Sequence, residues 1–213
     1  MTQPAGAGDR PVPLWNIANI LTMVRIVLVP VFVLLFLQGT TTTRLVATGV
    51  FAVAALTDKL DGTIARRRGL VTDFGKLADP IADKALVISA LLLLSIDGLL
   101  PWWATVVIIV RELGITALRE VMKRRGAIMA ASSGGKTKTV LQITFLLMLL
   151  VPWADLVPGA VADAIAIVAF GIMLAAVAAT VITGVDYVVK AVQISARARH
   201  DSTSRPAVGD EES

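Results

Sequence analysis

Four regularly spaced aspartates are the residues best suited to chemistry in this sequence of 213 residues. Asp58 and Asp61 end one apolar run, three residues apart, and Asp79 and Asp83 begin the next, four residues apart. Positions three or four apart share a face of an α-helix, so each pair predicts two carboxylates on one face. Because like charges in a small volume repel unless protons or cations intervene, the pattern predicts bound cations.

The chemistry of four carboxylates favours a pair of metal ions. Oxygen-only ligands prefer hard divalent cations such as Mg²⁺ or Mn²⁺, and two such ions stabilise the attacking and leaving oxygens of an in-line displacement at phosphorus. The small residues Gly62, Ala65 and Gly75 beside the acids leave room for a bulky phosphate-bearing ligand. The alternative is structural, with the acids paired to neighbouring bases such as Lys59 and Lys84.

The composition places these acids in a membrane protein. Apolar residues make up 56% of the sequence and charged residues 17%, and the mean hydropathy is +0.78, far from the averages of soluble domains. A helix needs roughly 20 apolar residues to cross a bilayer. The sequence predicts an all-α, polytopic membrane protein with six transmembrane helices, at 17–37, 45–65, 78–96, 102–120, 139–155 and 160–189.

The basic residues predict the orientation. If the N-terminus is cytoplasmic, the outer loops carry only Arg44 and the other bases fall in inner segments, which puts both termini in the cytoplasm of a plasma (inner) membrane protein. The net charge of +4 then indicates anionic membrane lipids as partners and no nucleic acid. The composition of residues 1–13, rich in Pro, Gly and Ala, and of the charged residues 196–213 predicts disordered tails. The membrane domain between them is predicted to span residues 14–195.

The two acidic pairs are predicted to lie at matched depth. The thirteen residues from Leu45 to Thr57 precede Asp58, and at 1.5 Å per residue they cover roughly 20 Å of the membrane. Asp83 lies thirteen steps before Ile96, at the outer end of the next predicted helix. Asp58 and Asp83 are therefore expected at the same level, below the cytoplasmic surface.

These residues also carry a family resemblance. The spacing D-x2-D-G-x2-A-R-x8-G-x3-D-x3-D, from Asp58 to Asp83, resembles the signature of the CDP-alcohol phosphotransferase family at all eight fixed positions. The resemblance implies six transmembrane helices around a cytoplasm-facing polar cavity, and a homodimer. It also implies transfer of a substituted phosphoryl group from a CDP-linked donor to an alcohol, with release of CMP.

The resemblance implies roles for individual residues. Asp58, Asp61 and Asp79 would hold two divalent metal ions, and Asp83 would complete the site and take the proton of the acceptor hydroxyl. Further residues would line the side of the CDP-lipid donor: Asn19, Thr22, Arg25, Gly62, Ala65, Arg66, Thr72 and Gly75.

Basic residues further along the chain indicate an acceptor that bears phosphate. Arg111 and Arg119 lie two turns apart on the fourth predicted helix, and Lys136 and Lys138 follow in "GGKTKT"; guanidinium groups bind phosphate in bidentate fashion. Arg111 is nine steps from Trp102, roughly 14 Å from the outer face. That depth predicts that Arg111 pairs with a carboxylate or with substrate.

Three segments, "NIANILTMVRIVLVP", "RELGITALRE" and "GGKTKT", resemble the phosphatidylglycerophosphate synthase branch of this family. The branch implies CDP-diacylglycerol and glycerol 3-phosphate as substrates. Inositol phosphate, or phosphatidylglycerol as in cardiolipin synthesis, stays open as the acceptor. Two other classes also gather carboxylates. An intramembrane prenyltransferase should carry a second aspartate-rich helix, and a divalent cation transporter should place acids along a path through the membrane.

Overall fold

A computed structural model describes residues 17–68, 73–124 and 134–203, and the side chains of residues 20–57, 81–82, 84–124 and 137–194. All regular structure in these ranges is helical, which confirms the all-α prediction. The helices are α1 (Ile17–Leu37), α2 (Thr41–Arg68), α3 (Asp73–Ile96), α4 (Trp102–Arg124), α5 (Gly134–Leu150), α6 (Trp153–Leu156) and α7 (Gly159–Thr203).

The six long helices overlap the six predicted segments, with one clear correction. The fifth segment was predicted to run to residue 155, but α5 ends at Leu150. Pro152 causes this ending, because proline has no backbone N–H to continue the helix and disfavours helical geometry at the preceding residue. The short helix α6 follows, starting at Trp153.

Two described helices are long and apolar enough to cross a membrane, judged by length and composition. The stretches are Ile20–Leu37 in α1 and Gly159–Ile194 in α7. Shorter apolar stretches occupy Thr41–Thr57, Lys84–Ile96 and Thr137–Leu150. The apolar helices are those of a membrane protein, and the full six-span topology stays a prediction.

The last helix is longer than the membrane requires. α7 has 45 residues, about 67 Å at the usual rise, and it continues past residue 189, where the sixth predicted segment ends. It also covers residues 196–203 of the predicted C-terminal tail. The predicted N-terminal tail, residues 1–13, lies outside the described residues.

The chain divides into two compact units. The first comprises Met1–Leu100 with Leu146–Ala166, and the second comprises Pro101–Phe145 with Ile167–Ser213. The predicted acids therefore belong to the first unit, and the predicted acceptor-binding bases belong to the second.

In the first unit, α1 packs against both α2 and α3. Phe32 of α1 and Phe51 of α2 are fully buried, and their ring centroids lie 5.6 Å apart with the rings tilted, a favourable aromatic arrangement. The guanidinium of Arg44 lies 4.7 Å from the ring centroid of Phe36. These contacts join the C-terminal part of α1 to the N-terminal part of α2, so the two helices run antiparallel.

The helix ends of this unit use specific capping geometry. At the end of α3, Gly98 has a φ of +76°, and the N–H groups of Leu99 and Gly98 donate to the carbonyls of Leu94 and Ser95, at 2.9 and 3.2 Å. This is the Schellman pattern, which needs a left-handed residue and therefore favours glycine. At the start of α2, the Thr40 hydroxyl accepts a hydrogen bond from the Thr43 N–H at 3.2 Å, as an N-cap does.

An ion pair fixes the relation of α2 to α3. Arg44, in the first turn of α2, pairs with Asp97, the residue after α3 ends. The start of one helix therefore lies beside the end of the next, so α2 and α3 are also antiparallel.

Candidate functional site

The helices place every residue of the aspartate signature in a regular helix. α2 contains the backbone of Asp58, Asp61, Gly62, Ala65 and Arg66, and α3 contains that of Gly75, Asp79 and Asp83. The i, i+3 and i, i+4 spacings of the acids therefore act as helical spacings, as predicted. The side chains of these residues, and all of Thr72, lie outside the described part of the chain.

Among the predicted donor-side residues of α1, the structure describes the side chains of Thr22 and Arg25. The backbone of Asn19 lies in α1, and its side chain is outside the described residues. Thr22 and Arg25 are each 1% exposed. Arg25 is among the largest fully buried side chains, and a buried guanidinium at membrane depth requires compensating partners.

The second unit contains a partly buried cluster of charged residues from two helices. The carboxylate oxygen Oε1 of Glu112, in α4, accepts a hydrogen bond from Arg111 Nη1 at 3.2 Å and another from Lys138 Nζ, in α5. The side chains of Lys138, Arg111 and Glu112 are 4%, 14% and 21% exposed. One carboxylate therefore contacts two cations that are largely shielded from water. Arg111 is predicted to pair with a carboxylate or with substrate, and the structure shows the pairing with a carboxylate.

Helix α7 contacts the Arg111 side chain through Thr183 and Gly184. Arg111 Nη2 donates to Thr183 Oγ1 at 2.8 Å, and the Thr183 hydroxyl itself donates to the Ala179 carbonyl at 2.7 Å. A Cβ added to Gly184 would lie 3.3 Å from Arg111 Cγ. A larger residue at position 184 would therefore push against the stem of Arg111.

The charges of this cluster suit an anionic ligand. Two cations and one carboxylate leave one net positive charge, and Arg111 Nε is buried with no hydrogen-bond partner among the described residues. The buried hydroxyl of Thr180, one turn before Thr183, also has none within that part of the chain. Buried donors normally find partners, so the region offers polar atoms that a bound anion such as phosphate would satisfy.

The structure describes the side chain of only one of the other two predicted acceptor-binding bases. Arg119 is exposed, two turns beyond Arg111 on α4. Lys136 lies in the first turn of α5, and its side chain is outside the described residues. Glu112, in contrast, was absent from the predicted site, although it adjoins Arg111 in the sequence. Its role depends on Lys138, 26 residues further along, and no local spacing shows that contact.

No group of three or more acidic or histidine side chains that could hold a metal ion occurs among the side chains that the structure describes. The signature aspartates are outside that set, so the metal prediction stays a prediction.

Comparison with known proteins identifies the family. Residues 15–182 match the family model of CDP-alcohol phosphatidyltransferases. The chain is 46% identical over 181 residues to a probable phosphatidylglycerophosphate synthase of Mycobacterium tuberculosis, covering 84% of this chain and 82% of the relative. It is 37% identical over 165 residues to a CDP-diacylglycerol–glycerol-3-phosphate 3-phosphatidyltransferase of Bacillus subtilis, covering 67% of this chain and 86% of the relative.

A protein of that same name from Escherichia coli is 42% identical over 141 residues, covering 64% of this chain and 77% of its own. The family match covers the signature helices α2 and α3. It also covers Arg111, Glu112 and Lys138, and it ends one residue before Thr183 of α7. The chain is a transferase that belongs to the CDP-alcohol phosphatidyltransferase family.

Proposed function

We propose that this chain transfers the phosphatidyl group of CDP-diacylglycerol to glycerol 3-phosphate, forming phosphatidylglycerophosphate and CMP. The observation that carries this proposal is the 46% identity to a probable phosphatidylglycerophosphate synthase along 84% of the chain. The reaction forms a bond between the acceptor oxygen and the phosphatidyl phosphorus, and breaks the bond between that phosphorus and the oxygen of CMP.

The helix register supports a joint role for the acids of α2 and α3. Asp58 lies fourteen residues after Arg44, and Asp83 lies fourteen residues before Asp97, so both are about 21 Å along their helices from the ion pair. In two antiparallel helices whose paired ends lie side by side, residues at equal distances in sequence from those ends lie at the same level along the helix axes. This supports the expectation that the two acidic pairs share one level of the first unit.

The register of α1 against α2 extends the same argument to Arg25. Phe32 and Phe51 are in contact, and seven residues toward the other ends of these helices lie Arg25 and Asp58. Seven residues are close to two helical turns, so the two positions share a level and the faces that carry the phenyl rings. We propose that Arg25 supplies positive charge beside the acidic site.

The donor set fits a pair of divalent ions, because it consists of carboxylates alone, grouped at helical spacing. We propose that Asp58, Asp61, Asp79 and Asp83 would hold two Mg²⁺ or Mn²⁺ ions. These ions supply charge neutralisation at the diphosphate and at the attacking and leaving oxygens.

Asp83 is proposed as the general base. A base must accept the proton of the acceptor hydroxyl as its oxygen attacks phosphorus, and the carboxylate of Asp83 on α3 has the chemistry to do so. Around the donor we propose contacts from Gly62, Ala65, Arg66, Thr72 and Gly75, together with Asn19 and Thr22 of α1.

The acceptor phosphate is proposed to bind in the second unit. Lys138 is buried and Arg111 is mostly buried, and both donate to Glu112. Charge-assisted hydrogen bonds to phosphate are the strongest that such side chains make. Arg119 and Lys136 are proposed to add positive charge to the same acceptor.

We further propose the membrane arrangement that the sequence predicts. The chain would cross the plasma (inner) membrane six times, with both termini and a polar cavity on the cytoplasmic side, and would form a homodimer. The positive-inside distribution of Lys and Arg supports this orientation, and it would bring the basic segments close to anionic lipids.

A CMP-release assay tests the proposal. Purified protein in lipid nanodiscs is given CDP-diacylglycerol, Mn²⁺ and one labelled acceptor at a time: glycerol 3-phosphate, inositol phosphate, serine or phosphatidylglycerol. The expected result is CMP release and a labelled lipid with glycerol 3-phosphate. Turnover with a different acceptor alone would contradict the acceptor assignment, and metal flux into liposomes without CMP release from any acceptor would indicate a transporter.

A further inference from the structure

We propose that Glu112 is a positioning residue that fixes Arg111 and Lys138 in the arrangement that receives the acceptor's phosphate. The inference rests on the proposed function for the identity of the acceptor, and on the geometry of the second unit for everything else. Glu112 belonged to no predicted site, and its carboxylate connects α4 to α5.

One oxygen atom of Glu112 makes both connections. Oε1 accepts from Arg111 and from Lys138, so the two cationic groups are held within a few ångströms of each other. Two positive charges at that separation repel each other unless an opposite charge lies between them. Since both cations are largely shielded from solvent, water cannot provide this compensation, and the carboxylate does.

Helix α7 completes the arrangement on the other side of the guanidinium. Nη1 of Arg111 is directed to Glu112 and Nη2 is directed to Thr183, so the plane of the guanidinium is fixed by two separate partners. Its stem passes against Gly184, where an added Cβ would lie only 3.3 Å from Arg111 Cγ. Arg111 therefore has little freedom to rotate, and its unpartnered Nε keeps a constant direction.

The sign of its charge defines what Glu112 does. A carboxylate repels a phosphate, so Glu112 is not expected to touch the acceptor; it acts through the two cations. Its loss should therefore weaken acceptor binding more than donor binding or the chemical step. A purely structural role would instead lower the amount of active protein, and would leave the KM of both substrates unchanged.

The first test compares Glu112→Gln with Glu120→Gln in the full chain in nanodiscs. Both residues are on α4, and Glu120 makes an exposed ion pair with Arg124, so the control loses the same charge from the same helix. Glu112→Gln should raise the KM for glycerol 3-phosphate by about tenfold or more, the range of a lost charge-assisted hydrogen bond. The KM for CDP-diacylglycerol and kcat should stay within about threefold.

Glu112→Asp keeps the charge and should recover part of the acceptor affinity. The inference is overturned by an unchanged acceptor KM in Glu112→Gln, by an equal rise in both KM values, or by the same rise in Glu120→Gln.

A second pair of variants tests the contact between Arg111 and α7 without changing any charge. Gly184→Ala should displace Arg111 and raise the acceptor KM by about threefold or more, since small misplacements at a binding site carry such costs. Gly171→Ala is the control, because Gly171 is on the same helix and has nothing within 4 Å of the added Cβ. Should Glu112→Gln fail to fold, these two variants decide, and equal KM values in both would overturn the inference.

The same measurements separate this inference from the proposed function. If the wild-type protein releases CMP with inositol phosphate and not with glycerol 3-phosphate, the acceptor assignment fails, and the Glu112 comparison is repeated with inositol phosphate. A selective rise in that KM would still support the positioning role. Turnover only with an acceptor that carries no phosphate would overturn the positioning role as well.

Discussion

The two compact units group their charged residues in different ways. In the first unit, the signature places four aspartates on the consecutive helices α2 and α3. In the second unit, Arg111 and Lys138 come from α4 and α5 and share the carboxylate of Glu112. The basic residues of the second unit thus have their own counter-charge, and we propose that the four aspartates take theirs from bound divalent ions and from Arg25.

We expect the acids and the basic residues to control different steps of the reaction. Because the acids are proposed to act through bound cations, altering them should affect the chemical step and donor binding. Cations that are already paired are organised before the substrate arrives, so altering them should change acceptor affinity. Substitutions can break this division of roles or make it sharper.

The largest effect is expected from the acids. Asp83→Asn should lower kcat by about a thousandfold or more, because an amide cannot accept the proton of the acceptor hydroxyl and general-base catalysis contributes on this scale. CDP-diacylglycerol binding should be largely retained. Asp58→Asn should instead weaken metal and donor binding together, because it removes a ligand and leaves the proposed base in place.

Titrating both variants with Mn²⁺ and with CDP-diacylglycerol measures this contrast directly. An equal loss of donor affinity in the two variants would remove the base assignment from Asp83.

The helical placement of the acids could be predicted from the sequence because their spacing is local. Asp58 and Asp61, and likewise Asp79 and Asp83, share a helix face through spacings of three and four residues, and the helices formed where the apolar runs indicated. The Arg44–Asp97 ion pair, which relates the two helices, spans 53 residues and required the structure.

The cluster of Arg111, Glu112 and Lys138 could not be predicted from local sequence patterns. The depth of Arg111 in its helix predicted a partner, but Thr183 is 72 residues away in sequence, and only the packing of α7 against Arg111 brings it close. The predicted end of α5 was wrong for a different reason. Hydrophobicity alone extended the segment through Pro152, which lacks an N–H for the helical hydrogen bonds and disfavours helical geometry at Val151.

An intermediate effect is expected from Lys138. Lys138→Met keeps most of the side-chain volume and removes the charge, and should raise the acceptor KM by about tenfold to a hundredfold, as expected when a charge-assisted hydrogen bond is lost. The carboxylate of Glu112 then has one cation fewer, so adding Glu112→Gln should cost less than the product of the two single effects.

A double-mutant cycle on the acceptor KM measures this coupling. Lys190→Met is the control, since Lys190 forms an exposed i, i+4 pair with Asp186 on α7. Independent effects of Lys138 and Glu112 would contradict a shared anchoring role.

The smallest effect is expected from the Arg44–Asp97 pair, although it fixes the register of the acidic helices. Asp97 is 37% exposed and Arg44 17%, so solvent weakens their attraction, and Asp97→Asn should lower the free energy of unfolding by less than about 1 kcal/mol. For a chain of this size that is a change in Tm of less than about 4 °C. Both KM values and kcat should stay within about twofold of wild type, because the glycine cap at Gly98 and the aromatic contacts of α1 still hold the same helix ends.

Asp163→Asn is the control for thermal unfolding, since Asp163 is an exposed acid of α7 with no ion pair among the described side chains. A tenfold loss of kcat in Asp97→Asn, at unchanged Tm, would mean that the ion pair aligns the aspartates of α2 and α3 and is itself part of the catalytic geometry.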